Sequence, residues 1–144
     1  MKIVARLLVL LPLLWVEGVW AVDCPSEDYD LNSQAEVDAL GAAGCDRISG
    51  YLYIGNSTDI TNLDGLTNIT SLGGRLIISS NSALTNLDGL ANLISVGGDL
   101  TIGSNAALTN LNGLASLASV GGWRIINSNA ALTNFDGLTN ITSL

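Results

Sequence analysis

Aspartates recur at a fixed interval along this chain: Asp64, Asp88 and Asp136, with Asn112 filling the remaining place in the series. Carboxylates one repeat apart on stacked strands lie about 4.8 Å from one another. That is close enough for two of them to share a calcium ion, so Asp64 and Asp88 are the candidate calcium ligands. Each also stands in Leu-Asp-Gly-Leu, where Asp or Asn before Gly is ordinary turn chemistry. The exchange for Asn112 suits a turn and weakens a charge site. Acid–base hydrolysis would need two carboxylates in distinct environments facing a cleft, and nothing marks such a pair. The chain has no histidine, which removes the usual base for a serine or cysteine nucleophile. The chain therefore reads as a non-enzyme, with no metal centre and no cofactor.

A second column is unbroken: Thr61-Asn62, Thr85-Asn86, Thr109-Asn110 and Thr133-Asn134. A flat ladder of threonines is one way to meet ice, but two outward ranks are wanted and one is complete here. Hydrogen bonding between neighbouring Thr and Asn explains the column without ice. Three sequons, at Asn56, Asn68 and Asn140, are candidate glycosylation sites in a eukaryotic host. Cys24 and Cys45 are the two cysteines. In an oxidising compartment they are expected to pair. The loop closed would be worth roughly 3 kcal/mol in the chain-entropy model.

What positions these residues is a repeat. One register of 24 residues runs from Ser49 to Leu144, marked by Gly73-Gly74, Gly97-Gly98 and Gly121-Gly122. Residues 73–96 and 97–120 agree at 17 of 24 places. A unit of this length cannot bury its apolar face alone, so copies must stack into a solenoid. Leu52/Ile54, Leu76/Ile78 and Leu100/Ile102 alternate with period 2 after the glycines, the pattern of a strand with those side chains inward. Leu84, Leu87, Leu90, Leu93 and Val96 follow at every third place, which suits a polygonal coil better than a helix. The inward columns then include Leu63/Leu87/Leu111/Phe135 and Leu66/Leu90/Leu114/Leu138. Asn81/Asn105/Asn129, with Ser57 in the first repeat, are expected to form a buried amide ladder. Arg124 falls in a Leu slot, so either the strand slips there or the guanidinium turns outward.

The ends differ from the repeat. Residues 1–21 have the form of a secretory leader: Lys2 and Arg6, an apolar run from Leu7 to Val16, then Val19-Trp20-Ala21. The run is short for a membrane span of about 20 residues. Residues 22–48 form an N-terminal cap. In it Ser33-Gln34-Ala35-Glu36 is a capping box that predicts a helix over 34–42, closing the open end of the stack. Residues 49–144 are the solenoid, which breaks off at Leu144 on a bare apolar repeat, as a truncated chain would. The whole chain carries a net charge of −8. After removal of 1–21, three arginines face twelve acids, a net charge of −9. Such a surface repels nucleic acid and anionic membrane.

The run Cys45-Asp46-Arg47-Ile48-Ser49-Gly50-Tyr51-Leu52-Tyr53-Ile54 resembles the opening of receptor L-domains. The following Gly-Gly-x-Leu-x-Ile and Leu-x-Asn-Leu-x-Gly-Leu units are similar to bacterial, protist and fungal surface proteins with the same coil. The resemblance covers residues 24–144. It implies a right-handed β-helix related to leucine-rich repeats, here about four coils behind a short capping helix. It also implies an extracellular or cell-surface location and a role in binding, adhesion or wall organisation, and it carries no catalytic residues. The expected function is a secreted binding or adhesion module for an unknown protein or carbohydrate. Its contact face would be Tyr51, Tyr53, Arg75, Asp99, Thr101 and Trp123, the variable positions along one strand stack. The alternative is a structural wall or matrix protein that self-associates through its open end.

Overall fold

The computed structural model describes residues 20–142. The leader expected over residues 1–21 lies, but for its last two residues, outside them. The described chain is mostly β, with parallel strands in two sheets and one helix. The first sheet has the order β1 (Tyr29–Leu31), β3 (Leu52–Ser57), β5 (Leu76–Asn81), β7 (Leu100–Gly103) and β9 (Arg124–Asn127). The second has β2 (Arg47–Ile48), β4 (Ser71–Leu72), β6 (Ser95–Val96) and β8 (Ser119–Val120). Every strand pair from β2 onward is in a register of 24, as Leu52↔Leu76↔Leu100↔Arg124 shows. This solenoid-like stacking is the arrangement that the repeat period demands.

Within a strand the inward side chains are the aliphatic ones. Leu52, Ile54, Leu76, Ile78, Leu100 and Ile102 are fully buried. The every-third-residue series is buried too, with Leu84, Leu87, Leu90, Leu93 and Val96 at 0–1% exposure. Its geometry departs from a plain polygon at one place per repeat. Asp64–Leu66, Asp88–Leu90, Asn112–Leu114 and Asp136–Leu138 each close a short 3-10 turn. Asn62 Oδ1 accepts from the Asp64 amide at 3.0 Å, and Asn86, Asn110 and Asn134 do the same in their repeats. These turns press so closely on one another that a Cβ on Gly89 would collide with the Leu63 carbonyl below it. That is why glycine recurs at the second place of each turn.

The buried amide ladder forms. Asn105 Nδ2 donates to Ile78 O at 2.9 Å and to Asn129 Oδ1 at 3.2 Å. Asn105 Oδ1 accepts from Asn81 N and Asn81 Nδ2, both at 3.1 Å. Each ladder residue follows a residue held at positive φ: Asn56 at 54°, Ser80 at 60°, Ser104 at 57° and Ser128 at 56°. A non-glycine residue there costs about 1–2 kcal/mol. The sharp bend is what turns the next side chain inward. Ser57 is the exception. Its hydroxyl serves its own bend, donating to Asp59 Oδ1 and accepting from Asp59 N and Ile60 N. Asn81 Oδ1 is left buried without a partner.

The cap is helix plus strand. The helix α1 spans Gln34–Ala42, as the capping box predicts, with Ser33 Oγ accepting from Glu36 N at 3.3 Å. Glu36 Oε2 reaches back to Asn32 N at 2.6 Å. Val37 and Leu40 are buried against the first repeat. The helix lies on the first 3-10 turn through glycine: a Cβ on Gly41 would fall 2.5 Å from Gly65 O. Strand β1, which the sequence pattern does not announce, pairs with β3 and covers the edge of the first sheet. Cys24 and Cys45 are joined and almost wholly buried.

Two columns change character in the last repeat. Phe135, expected in the inward Leu63/Leu87/Leu111 column, is 56% exposed, because no described segment stacks on it. Arg124 keeps its register opposite Leu100, so the strand does not slip. Its side chain is exposed, which spares the guanidinium the cost of burial.

Candidate functional site

The outward face of the first sheet gathers the varied residues. Positions 24 apart place Tyr51, Arg75, Asp99 and Trp123 in one column, and Tyr53, Ile77, Thr101 and Ile125 in the next. The six residues expected to form a contact face thus share it. The expectation missed Asp28 and Asp30, which strand β1 adds at its lower end.

These residues are coupled. Tyr51 N donates to Asp28 Oδ1 at 2.9 Å, and the Tyr51 hydroxyl donates to Asp30 Oδ2 at 3.1 Å. The guanidinium of Arg75 lies 6.0 Å from the Tyr51 ring centroid, within cation–π reach. The bond to the Asp30 carboxylate raises the Tyr51 pKa above its ordinary 10.0, with the Asp28 and Asp30 charges adding to this and Arg75 opposing it. Tyr53 folds along its own strand, so that its hydroxyl lies over Gly55. At the upper end, Trp123 N donates to Asp99 Oδ1 at 2.7 Å. An aspartate one layer down therefore fixes the backbone of an aromatic residue at both ends of the column. Trp123 itself is 76% exposed. Beside it Gly121, Gly122, Trp123 and Arg124 line an open hollow of about 470 Å³.

The other expected sites lie elsewhere. Asp64 and Asp88 are exposed at the starts of their 3-10 turns, on a different wall from the contact face. Among the described residues no group of three or more His, Cys, Asp or Glu is placed to hold a metal ion. The threonines of the Thr-Asn column are exposed, Asn62, Asn86 and Asn110 are half-buried, and the column's bonding is internal. Asn86 Nδ2 donates to Thr85 Oγ1 at 3.4 Å, and Thr109 Oγ1 donates down to Thr85 O at 3.1 Å. Of the sequon residues, Asn56, Asn68 and Asn140 are all exposed. Asn140 alone has its amide bonded to the layer below, to Ala115 O at 2.6 Å.

Among the described residues no helix is long and apolar enough to cross a membrane. A profile of the Receptor L domain family matches residues 44–142. No match was found among curated proteins or among solved structures. The matched segment begins beside the disulfide and takes in strands β2 to β9, the amide ladder and the outward face from Tyr51 to Ile125; strand β1, with Asp28 and Asp30, precedes it. Receptor L domains are extracellular-type binding domains rather than enzymes. The chain belongs to the Receptor L domain family.

Proposed function

We propose that this protein is a secreted or cell-surface binding module, without catalytic activity, whose ligand meets the outward face of the first sheet. The observation that carries it is the gathering of Tyr51, Tyr53, Arg75, Asp99, Thr101 and Trp123 on one face, whereas the 3-10 turn wall repeats Thr, Asn and Asp. Exposed aromatic and arginine side chains are the residue types that dominate binding surfaces. On this reading the fold is a right-handed solenoid of four 24-residue coils, the hand that parallel crossovers favour. Residues 1–21 act as its leader, 22–48 as its cap and 49–144 as its coils. Asn56 and Asn68 are the sequons left free for glycans. The test is binding of labelled full-length protein to intact cells of the producing organism. Thr101→Arg and Tyr53→Arg, on the face, should abolish binding. Thr85→Arg, on another wall, should preserve it. Equal effects at both places would remove the face assignment.

A second reading has one observation in its favour. The last repeat exposes Phe135 beside a hollow of about 120 Å³ that Ile126, Asn129 and Leu132 also line. Self-association through that end, as in a wall or matrix protein, would cover these residues. It predicts a mass that rises with concentration in analytical ultracentrifugation and stays monomeric in Phe135→Glu.

A further inference from the structure

Along the described chain, burial begins at Val22. Trp20 and Ala21 are exposed, whereas Val22 is half-buried and packs against the aliphatic core. The Val22 backbone is held on both sides. Its N–H donates to Asp46 Oδ1 at 2.9 Å. Its carbonyl accepts from Asp46 N at 2.8 Å and from Arg47 N at 3.2 Å. Next along the chain, Asp23 and Arg47 form a parallel bridge and an ion pair at 2.6 Å. The disulfide Cys24–Cys45 then ties the same two segments. Val22 is also the residue that follows Val19-Trp20-Ala21, the small-residue end of the leader pattern. A boundary of sequence and a boundary of packing thus fall on one peptide bond.

This coincidence gives Asp46 a second role. In the uncleaved chain it faces an amide, a neutral group with one hydrogen to give. Hydrolysis of the Ala21–Val22 bond sends the hydroxyl of water to the Ala21 carbonyl carbon and its other hydrogen to the Val22 nitrogen. Near neutral pH the new Ala21 carboxyl releases a proton and the Val22 amine binds one. The nitrogen beside Asp46 Oδ1 then carries a positive charge and three donating hydrogens. A charge-assisted bond is roughly twice as strong as a neutral one. The neighbouring charges do not compete for Asp46: Asp23 and Arg47 pair with each other, and the last turn of α1, which leads into Cys45, holds no basic residue. The single lysine, Lys2, leaves with residues 1–21. The Val22 amine is therefore the one primary amine in residues 22–144.

We propose that Asp46 is the binding site for the protein's own processed N-terminus: a signal peptidase frees the Val22 α-ammonium, which pairs with the Asp46 carboxylate and locks the cap beside the disulfide. This rests on the leader proposed for residues 1–21 and adds what its removal does to the fold. An α-amine held in this way is withheld from acylating reagents and from exopeptidases, which need the terminus free.

The test uses the full-length precursor expressed in a secreting host, with the processed protein recovered from the medium. N-terminal sequencing is expected to begin at Val22. The amine is then labelled with trinitrobenzenesulfonate near neutral pH, where only an unprotonated and unbound amine reacts. Because the chain holds one primary amine, the adduct reports on that group alone. The folded protein should label about tenfold more slowly than the same protein unfolded in urea with its disulfide intact, since a nearby opposite charge holds the proton on the amine. Asp46→Asn keeps an accepting oxygen but loses the charge, and should close most of that gap. Asp23→Asn should remain slow. The dependence of the wild-type rate on pH needs no variant: its midpoint should lie above the ordinary α-amine range of about 7.7–8.0. A terminus at another residue would overturn the leader boundary and the pairing together. A terminus at Val22 that labels at the unfolded rate, or that Asp23→Asn frees as fully as Asp46→Asn, would overturn the pairing and leave the leader standing.

Discussion

Replacing Asn105 by Ala tests whether the amide ladder holds the repeats together. The substitution removes four hydrogen bonds: two that Asn105 donates, to Ile78 O and Asn129 Oδ1, and two that it accepts from Asn81. At about 1 kcal/mol net for each, the loss is about 4 kcal/mol. Asn81 N loses the acceptor it has in the ladder, and at 0% exposure no water replaces it. The comparison is Asn86→Ala on the surface, where Oδ1 accepts a single bond from Asp88 N. That change should cost about 1 kcal/mol, as for the loss of a helix cap. Urea unfolding followed by far-ultraviolet circular dichroism measures both. With a slope of about 2 kcal/mol per molar urea, Asn105→Ala should lower the midpoint by about 2 M and Asn86→Ala by about 0.5 M. Equal midpoints for the two variants would mean that aliphatic packing alone sets the stability, and the account of the ladder would be wrong.

Three other outcomes follow from the geometry. Gly89→Ala should fail to fold or lose several kcal/mol, because its Cβ would enter the Leu63 carbonyl; soluble yield and circular dichroism report this. Cys24→Ser with Cys45→Ser should cost roughly 3 kcal/mol, the entropy of a loop of 21 residues, read as a lower melting temperature that reductant no longer changes. Tyr51 should ionise above pH 10.0 and move back down in Asp30→Asn, since the bond to Asp30 is the main cause of its shift. Difference absorbance at 295 nm against Tyr51→Phe isolates it. With the folded pKa raised, its contribution to stability is present below pH 10 and is lost as pH rises through the folded value.

The repeat made most of the fold legible. A side chain that meets its own equivalent one layer away leaves a period in the sequence, and Leu52/Leu76/Leu100 and Asn81/Asn105/Asn129 are such columns. The capping helix was legible because Ser33 and Glu36 are local signals that need no tertiary partner. What escaped were contacts between unlike residues. Strand β1 is three residues, Tyr-Asp-Leu, with no glycine pair before it, and only its pairing with β3 defines it. The engagement of Tyr51 by Arg75 and Asp30 depends on which rotamers meet across layers, and period carries no trace of that. The 3-10 turns were passed over because Asp-Gly reads as a bend, whereas the Asx bond from Asn62 to Asp64 N is what tightens it. Phe135 shows that column membership alone does not bury a side chain, since burial also needs a layer on each side.

The uniform register also limits how such a chain can change in length. The strand pairings from β2 onward and the Asn-to-Asn ladder bonds join a residue to its equivalent 24 places away, and the ladder's carbonyl bonds recur with the same period. Losing one residue inside a repeat would shift all columns above it at once, putting polar residues in aliphatic slots and side chains where glycine must stand. Losing or gaining a whole 24-residue unit would leave every contact with a like neighbour. Duplication and deletion by complete units are thus nearly silent for folding, yet each changes the separation of Tyr51 and Trp123 on the proposed contact face by one strand spacing, about 4.8 Å. If the proposed face is the binding face, recombination between repeats acts as a ruler that sets the length of ligand it can span.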